Sequence, residues 1–102
     1  MKVGYSILKE IHNKTDSPTA SDYGLSEVDF QNFVFFLETK GYLERVLRVH
    51  DHFSLKAARL TEKGVSLLVE LKHYEDSYPA RNYLKAWVQS EKDLYSNGAE
   101  QE

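Results

Sequence analysis

The stretch SEVDFQNFVFFLETKGYL, residues 26–43, contains a helix whose beginning and end are both marked. Ser26 with Asp29 three positions later resembles a capping box, and an apolar run follows directly. Gly41 is a typical residue just past a helix end. The stretch therefore predicts a helix over residues 27–40, which we count as the third helix of the chain.

Turn-forming residues place a shorter helix immediately before it. Apolar spacing predicts an amphipathic first helix over residues 3–14. Ser17 and Pro18 suit the N-cap and first position of a short second helix, which Gly24 would end. Because only a few residues separate the second helix from the third, the two must meet at a sharp angle. This is the outline of a helix-turn-helix.

Beyond the third helix the apolar pattern changes to alternation. Residues 43–49 and 53–60 predict two short antiparallel strands joined by a polar turn. Thr61 then caps a fourth helix over residues 62–74, in which Gly64 permits close packing. The order of elements predicts an α+β winged helix-turn-helix, with three helices, a two-stranded β-hairpin wing and a fourth helix.

A fifth, C-terminal helix follows this core. Its apolar residues recur at three- and four-residue steps: Tyr83, Leu84, Trp87, Val88 and Leu94. The expected organisation is a winged-helix domain over residues 1–78, this helix over residues 79–95, and a flexible polar tail over residues 96–102. The aromatic stripe either closes over the core or pairs with a second copy of the chain. Tyr83 and Trp87 are therefore candidate interface residues for a homodimer.

Three short motifs resemble small bacterial and prophage proteins of the YjcQ type. They are LKEI at residues 8–11, GYL at residues 41–43 and LTEKG at residues 60–64, and the likeness covers residues 2–75. The resemblance implies the winged-helix fold and, by analogy only, DNA binding. It implies no catalytic residue and no ligand.

The composition limits the classes of function. A chain of 102 residues fits one domain, and its net charge of −3, from 13 basic and 16 acidic residues, argues against a strongly basic nucleic-acid coat protein. The absence of cysteine excludes disulfides, thiol nucleophiles and cysteine-based zinc sites. The N-terminal apolar run is too short for a signal peptide or a membrane span. We therefore expect a cytoplasmic protein with no membrane partner.

The outward side of the third helix is the candidate surface for reading double-stranded DNA. Helical geometry directs four residues to the core, Phe30, Phe33, Val34 and Leu37, and leaves five on the opposite side, Val28, Gln31, Asn32, Phe35 and Thr39. We expect Gln31, Asn32 and Thr39 to contact bases. This outward side carries no lysine or arginine.

Positive charge is concentrated on the predicted wing. Residues 15–42 carry one lysine against five acidic residues, a net charge of −4, whereas residues 43–63 carry five basic against three acidic residues, a net charge of +2. The candidate phosphate contacts are Lys40, Arg45, Arg48, Lys56 and Arg59. Charges on an exposed hairpin can equally serve to block edge-to-edge strand pairing. With so few cations, a DNA-binding protein of this kind would need to act as a dimer.

The alternative function is a protein-interaction adaptor. Val28 and Phe35 are apolar yet point away from the predicted core, so either a protein partner or the fifth helix covers them. The leading hypothesis from the sequence is a small transcription regulator of bacterial or prophage type that binds DNA. The adaptor is the second hypothesis.

The sequence gives little support for enzyme chemistry. His50 and His52 share one side of a strand, but two imidazoles are fewer than the ligands zinc requires. The sequence contains no phosphate-binding glycine loop and no nucleophile motif. Glu10, Glu70 and Glu75 are single carboxylates expected on solvated helix faces. We therefore expect no catalytic site, no metal and no cofactor.

Overall fold

The helix α1 (Lys2–His12) lies at the centre of the core in the computed structural model, which describes residues 1–90. It packs against the helices and the hairpin base that follow it in the chain. Tyr5, Ile7 and Leu8 are buried on this helix. The predicted end at residue 14 is wrong by two residues, because Lys14 adopts a left-handed backbone conformation with φ 58°.

The second helix is shorter than predicted. A single 3₁₀ turn, Ala20–Tyr23, takes its place, and its N-cap is Thr19, so the predicted start at residues 17–18 is wrong. The Asp22 carboxylate accepts a hydrogen bond of 2.8 Å from the Thr19 N–H, which closes a capping box at this later position. Gly24 ends the turn as predicted, with φ 68°.

The third predicted helix is confirmed as α2 (Glu27–Thr39). Its N-cap, Ser26, accepts a hydrogen bond of 3.1 Å from the Asp29 N–H, and Gly41 follows its C-terminus with φ 82°. Three of its residues are buried in the core: Phe30, Val34 and Leu37. Three residues, Gly24, Leu25 and Ser26, separate the 3₁₀ turn from α2.

The segment predicted to form a wing is a hairpin made of two separately paired halves. In the proximal half, β1 (Leu43–Glu44) pairs antiparallel with β4 (Arg59–Leu60), and in the distal half, β2 (Leu47–Val49) pairs antiparallel with β3 (His52–Ser54). Residues 45–46 and residues 55–58 join the halves without strand pairing. The prediction of two continuous strands is therefore wrong at their middle, where the returning strand carries two extra residues.

The helix α3 (Glu62–Glu70) follows the hairpin directly. Its N-cap, Thr61, accepts a hydrogen bond of 3.1 Å from the Gly64 N–H. The helix ends four residues earlier than predicted, and a 3₁₀ segment, Lys72–Ser77, continues the chain.

The C-terminal helix packs on the same core. The 3₁₀ turn Arg81–Tyr83 leads into α4, of which residues 84–90 are described. Leu84, Trp87 and Val88 are buried in the core with α1. The predicted apolar position Leu94 and the predicted tail over residues 96–102 lie outside the described residues.

The described chain is thus a compact α+β fold, in which the helices surround one apolar core and a small hairpin projects from it. Within residues 1–90, no helix has the length and apolar character needed to cross a membrane.

Candidate interaction surface

The outward side of α2 is exposed as predicted. Val28 is 69% exposed, Phe35 60% and Phe36 43%, and Asn32 and Thr39 are exposed with them. Of the three predicted base-contacting residues, Gln31 differs because it is half-buried. The described residues of the C-terminal helix leave Val28 and Phe35 open, so of the two alternatives given above, cover by this helix is wrong for residues 84–90.

The five predicted phosphate contacts fall into two groups. Arg48 Nη1 lies 2.5 Å from Glu38 Oε1, and Arg59 Nε lies 2.5 Å from Glu44 Oε2. Both arginines therefore already face a carboxylate. The Lys40 ammonium lies over the Phe36 ring.

Arg45 and Lys56 form the second group. Both are exposed and make no ion pair with any residue from 1 to 90. The structure therefore leaves fewer available cations on the wing than the sequence suggested.

An apolar groove lies along one flank of α2. It has a volume of about 660 Å³ and is bordered by α1, the 3₁₀ turn, α2 and α4. Its apolar lining includes Met1, Val3, Leu25, Phe33, Phe36 and Val88. Phe33 is 37% exposed here, so its assignment to the core is wrong. The sequence did contain a signal for this exposure. Four phenylalanines are spread around α2, and one core-facing stripe cannot bury them all.

A buried polar network joins α1 to the segment before α4. Glu10 is buried, so the prediction of a solvated carboxylate is wrong. Its carboxylate accepts hydrogen bonds from the Tyr78 hydroxyl at 2.6 Å, from Thr15 Oγ1 at 2.7 Å and from Arg81 Nη1 at 3.3 Å. These donors satisfy a charge that would otherwise be costly to bury.

Ser6 links two tyrosines in this network. Its Oγ lies 2.8 Å from the Tyr78 hydroxyl oxygen and 2.9 Å from the Tyr23 hydroxyl oxygen. Because the single proton of Tyr78 is donated to Glu10, Ser6 must donate to Tyr78 and Tyr23 must donate to Ser6. Burial, together with the nearby Glu10 carboxylate, raises the pKa of both phenols.

Arg81 closes the network from the C-terminal side. Its Nε and Nη2 donate to Asp22 Oδ2 at 3.0 and 2.8 Å, and its Nη1 and Nη2 donate to the backbone carbonyls of Asp16 and Ser17. Burial alone would raise the pKa of Asp22, but the hydrogen bonds and charge of Arg81 and the Thr19 N–H outweigh it, so the pKa is lowered. The arrangement ties the chain together and leaves no donor of Arg81 idle.

The two predicted C-terminal interface residues lie in different environments. Trp87 is buried among Tyr5, Tyr74 and Tyr78, and its Nε1–H donates to Ser77 Oγ at 3.0 Å. Tyr83 is exposed. Only Tyr83 is therefore available to a partner without rearrangement of the core.

The described residues contain no group of three or more His, Cys, Asp or Glu side chains positioned to hold a metal. His50 and His52 stand exposed at the hairpin turn. Ser6 is fully buried and Glu10 is 9% exposed, so neither side chain lies open to solvent.

The sequence is similar to that of a curated bacterial protein. The match is to the Bacillus subtilis (strain 168) protein described as "Uncharacterized protein YjcQ", at 33% identity over 89 residues, which cover 85% of this chain and 95% of that protein. No protein-family model and no solved structure matches the sequence.

Proposed function

The chain belongs to the YjcQ family, and from this premise and the surface described above we propose that it is a non-enzymatic, cytoplasmic winged-helix module that binds a protein partner through the outward side of α2. The order of helix, short turn, helix, hairpin and helix supports the winged-helix assignment. The fold alone does not choose between DNA and protein as the partner, because one fold hosts many functions.

The observation that carries the proposal is the apolar character of the exposed side of α2. Val28, Phe35 and Phe36 are each more than 40% exposed on this one helix. An exposed apolar patch is typical of a protein-binding site. A helix that enters the major groove would also carry positive charge there, whereas the outward side of α2 has no lysine or arginine.

The charges beside the patch indicate the chemistry of the partner. Glu27 and Asp29 are exposed in the first turn of α2, and no described basic residue forms an ion pair with them. Like charges across an interface oppose binding, and opposite charges favour it. The partner we propose presents apolar side chains flanked by lysine or arginine.

The test compares capture of partners by two matched variants. Phe35→Asp places a charge in the patch, whereas Val69→Asp places one at an exposed apolar position on α3. We expect Phe35→Asp to lose the partners that wild type captures, and Val69→Asp to keep them. Both positions are exposed, so the free energy of unfolding should change by only about 0.5 kcal/mol in either variant. Equal capture by all three proteins would contradict the proposal.

DNA binding is a second candidate, which the exposed Arg45 and Lys56 favour. Both cations lie on the wing, and Asn32 and Thr39 are exposed on α2. As a DNA-binding regulator the protein would act as a dimer, for which Tyr83, in the 3₁₀ turn before α4, is the exposed contact.

The salt dependence of binding to a mixed-sequence duplex tests this second candidate. Two phosphate contacts per chain, and therefore four per dimer, predict a slope of log K against log salt of about −4. Replacing Arg45 and Lys56 with alanine should abolish this binding, while Phe35→Asp should leave the salt slope unchanged. If duplex binding is absent at low salt, the second candidate fails and the first is unaffected.

A further inference from the structure

The two halves of the hairpin are structurally independent of each other. The proximal pairing of β1 with β4 and the distal pairing of β2 with β3 differ in register by two residues. Arg45, in the unpaired segment between them, has φ 66°, a conformation that non-glycine residues adopt at a cost. Strand pairing is thus interrupted at residues 45–46 and 55–58, where the Ala58 N–H donates to the Leu55 carbonyl oxygen at 3.1 Å.

The core holds the junction far more firmly than the distal half. Leu43 and Leu55 are buried, one at the base of the proximal half and one at the junction. All three residues of β2 are exposed, in contrast. The distal half contacts the core through Phe53, whose ring meets the buried Phe30 ring edge-on at 6.3 Å.

Arg48 supplies the remaining attachment of the distal half to α2. Its guanidinium carbon lies 5.7 Å from the Phe35 ring centroid and 5.5 Å from the Phe53 ring centroid, within cation–π range of both. Its Nη1 lies 2.5 Å from Glu38 Oε1. That oxygen is buried and accepts no well-aligned hydrogen bond within the described chain, so the contact is an ion pair held by charge and packing.

We propose that Glu38 and Arg48 form a latch that holds the distal half of the wing against α2, and that the distal half swings away when the latch is broken. Release would separate Arg48 from Phe35 and widen the exposed side of α2. It would also free the Arg48 cation for an external anion. The latch itself is independent of any partner, whereas its control over docking rests on the function proposed above.

The hairpin contains a matched control for this latch. Glu44 and Arg59 form an ion pair of the same length within the proximal half. The Arg59 and Glu44 side chains are 60% and 41% exposed, against 36% and 23% for Arg48 and Glu38. Exposed ion pairs are screened by water and contribute little, so losing the control pair should have a small effect.

Amide hydrogen exchange of the full-length protein tests the latch in two variants, Glu38→Gln and Glu44→Gln. For Glu38→Gln we expect exchange to accelerate by about fivefold in β2 and β3, with the amides of α1 unchanged, because local opening exposes only the segment that moves. Glu44→Gln should leave exchange in β2 and β3 within twofold of wild type, a difference of about 0.4 kcal/mol at most.

A third variant separates charge from packing. Arg48→Lys keeps the positive charge but loses the planar group that lies between the two rings, so we expect an intermediate acceleration confined to the distal half. Two results would overturn the latch: equal effects of the two glutamate variants, or uniform acceleration over the whole chain in Glu38→Gln.

Partner capture by Glu38→Gln then distinguishes the two proposals. If distal exchange accelerates and capture changes, both stand. If exchange accelerates and capture by Glu38→Gln equals that of wild type, the latch stands and its control over docking is rejected. If Phe35→Asp captures the same partners as wild type, the docking function is rejected and the latch is unaffected.

Discussion

Gly64 shows how closely α3 approaches the hairpin. A Cβ atom built on this residue would collide with the carbonyl oxygen of Tyr42 and press on the side chain of Leu60. The Tyr42 carbonyl also accepts the Thr61 N–H at 3.1 Å, so it cannot shift without cost. The close packing that the sequence predicted for this glycine is thus confirmed, and it arises from a backbone contact.

Gly64→Ala should therefore destabilise the protein. Overpacking costs about 1–3 kcal/mol, which exceeds the gain of at most about 1 kcal/mol that alanine brings in helix propensity. Urea denaturation measures the free energy of unfolding. Ser66→Ala, at an exposed position on the same helix, is the control and should be neutral or slightly stabilising. Equal stabilities of the two variants would contradict the assigned contact.

The burial of Glu10 could not be predicted from the residues next to it in the sequence. Its position in α1 is consistent with either a buried or a solvated face, and two of its partners, Tyr78 and Arg81, lie 68 and 71 residues away. No local pattern signals such contacts. The burial of Glu10 followed from the return of the C-terminal segment across α1.

At the scale of elements, α4 provides a clear contrast between adjacent residues. The sequence predicted one apolar stripe containing Tyr83, Leu84, Trp87 and Val88. In the structure Leu84 is fully buried while Tyr83 belongs to the preceding 3₁₀ turn and is exposed. Successive side chains of a helix are about 100° apart, so the two neighbouring residues point in different directions and only Leu84 faces the core.

Leu84→Ala and Tyr83→Ala should differ strongly in their effects. We expect Leu84→Ala to lower the free energy of unfolding by about 2–5 kcal/mol, because it opens a cavity in the core. Tyr83→Ala should change it by about 0.5 kcal/mol or less. Thermal or urea unfolding followed by circular dichroism is sufficient. A small loss for Leu84→Ala would mean that α4 is not part of the cooperative core.

At the scale of the whole molecule, the free energy of unfolding should depend on pH through the ionisation of Asp22. The pKa of this carboxyl is lowered in the folded state, so ionised Asp22 favours folding above its unfolded pKa of 3.8. This contribution is lost as the pH falls through the lower, folded-state pKa. The contribution comes from Arg81, whose guanidinium binds the Asp22 carboxylate and so joins the 3₁₀ turn Ala20–Tyr23 to the segment before α4.

Asp22→Asn should accordingly destabilise the protein most near neutral pH. The difference in unfolding free energy from wild type should shrink below about pH 4, where the Asp22 carboxyl of the unfolded chain becomes protonated, and should vanish below the lower pKa of the folded state. Urea denaturation at pH 7, 5 and 3 measures this difference. Asp51→Asn, at the exposed hairpin turn, serves as the control and should show little pH-dependent difference. A constant difference across this range would rule out the assigned role of Asp22.

The order of elements and the family were within reach of the sequence alone. The caps Ser26 and Thr61, together with Gly24 and Gly41, delimit elements through interactions within a few residues. The resemblance to the YjcQ family, which rested on three short motifs, is confirmed. Local hydrogen bonding and backbone preference are readable from a sequence because they involve neighbouring residues.

Only the folded chain decided which side chains became surface and which charges became paired. The turn of Phe33 toward the groove, the burial of Glu10 and the pairing of Arg48 with Glu38 all depend on segments distant in sequence. The helical repeat of a sequence shows which side of the helix is apolar. It does not show how much of that side a neighbouring element buries. Burial and charge pairing are therefore settled by the packing of whole elements.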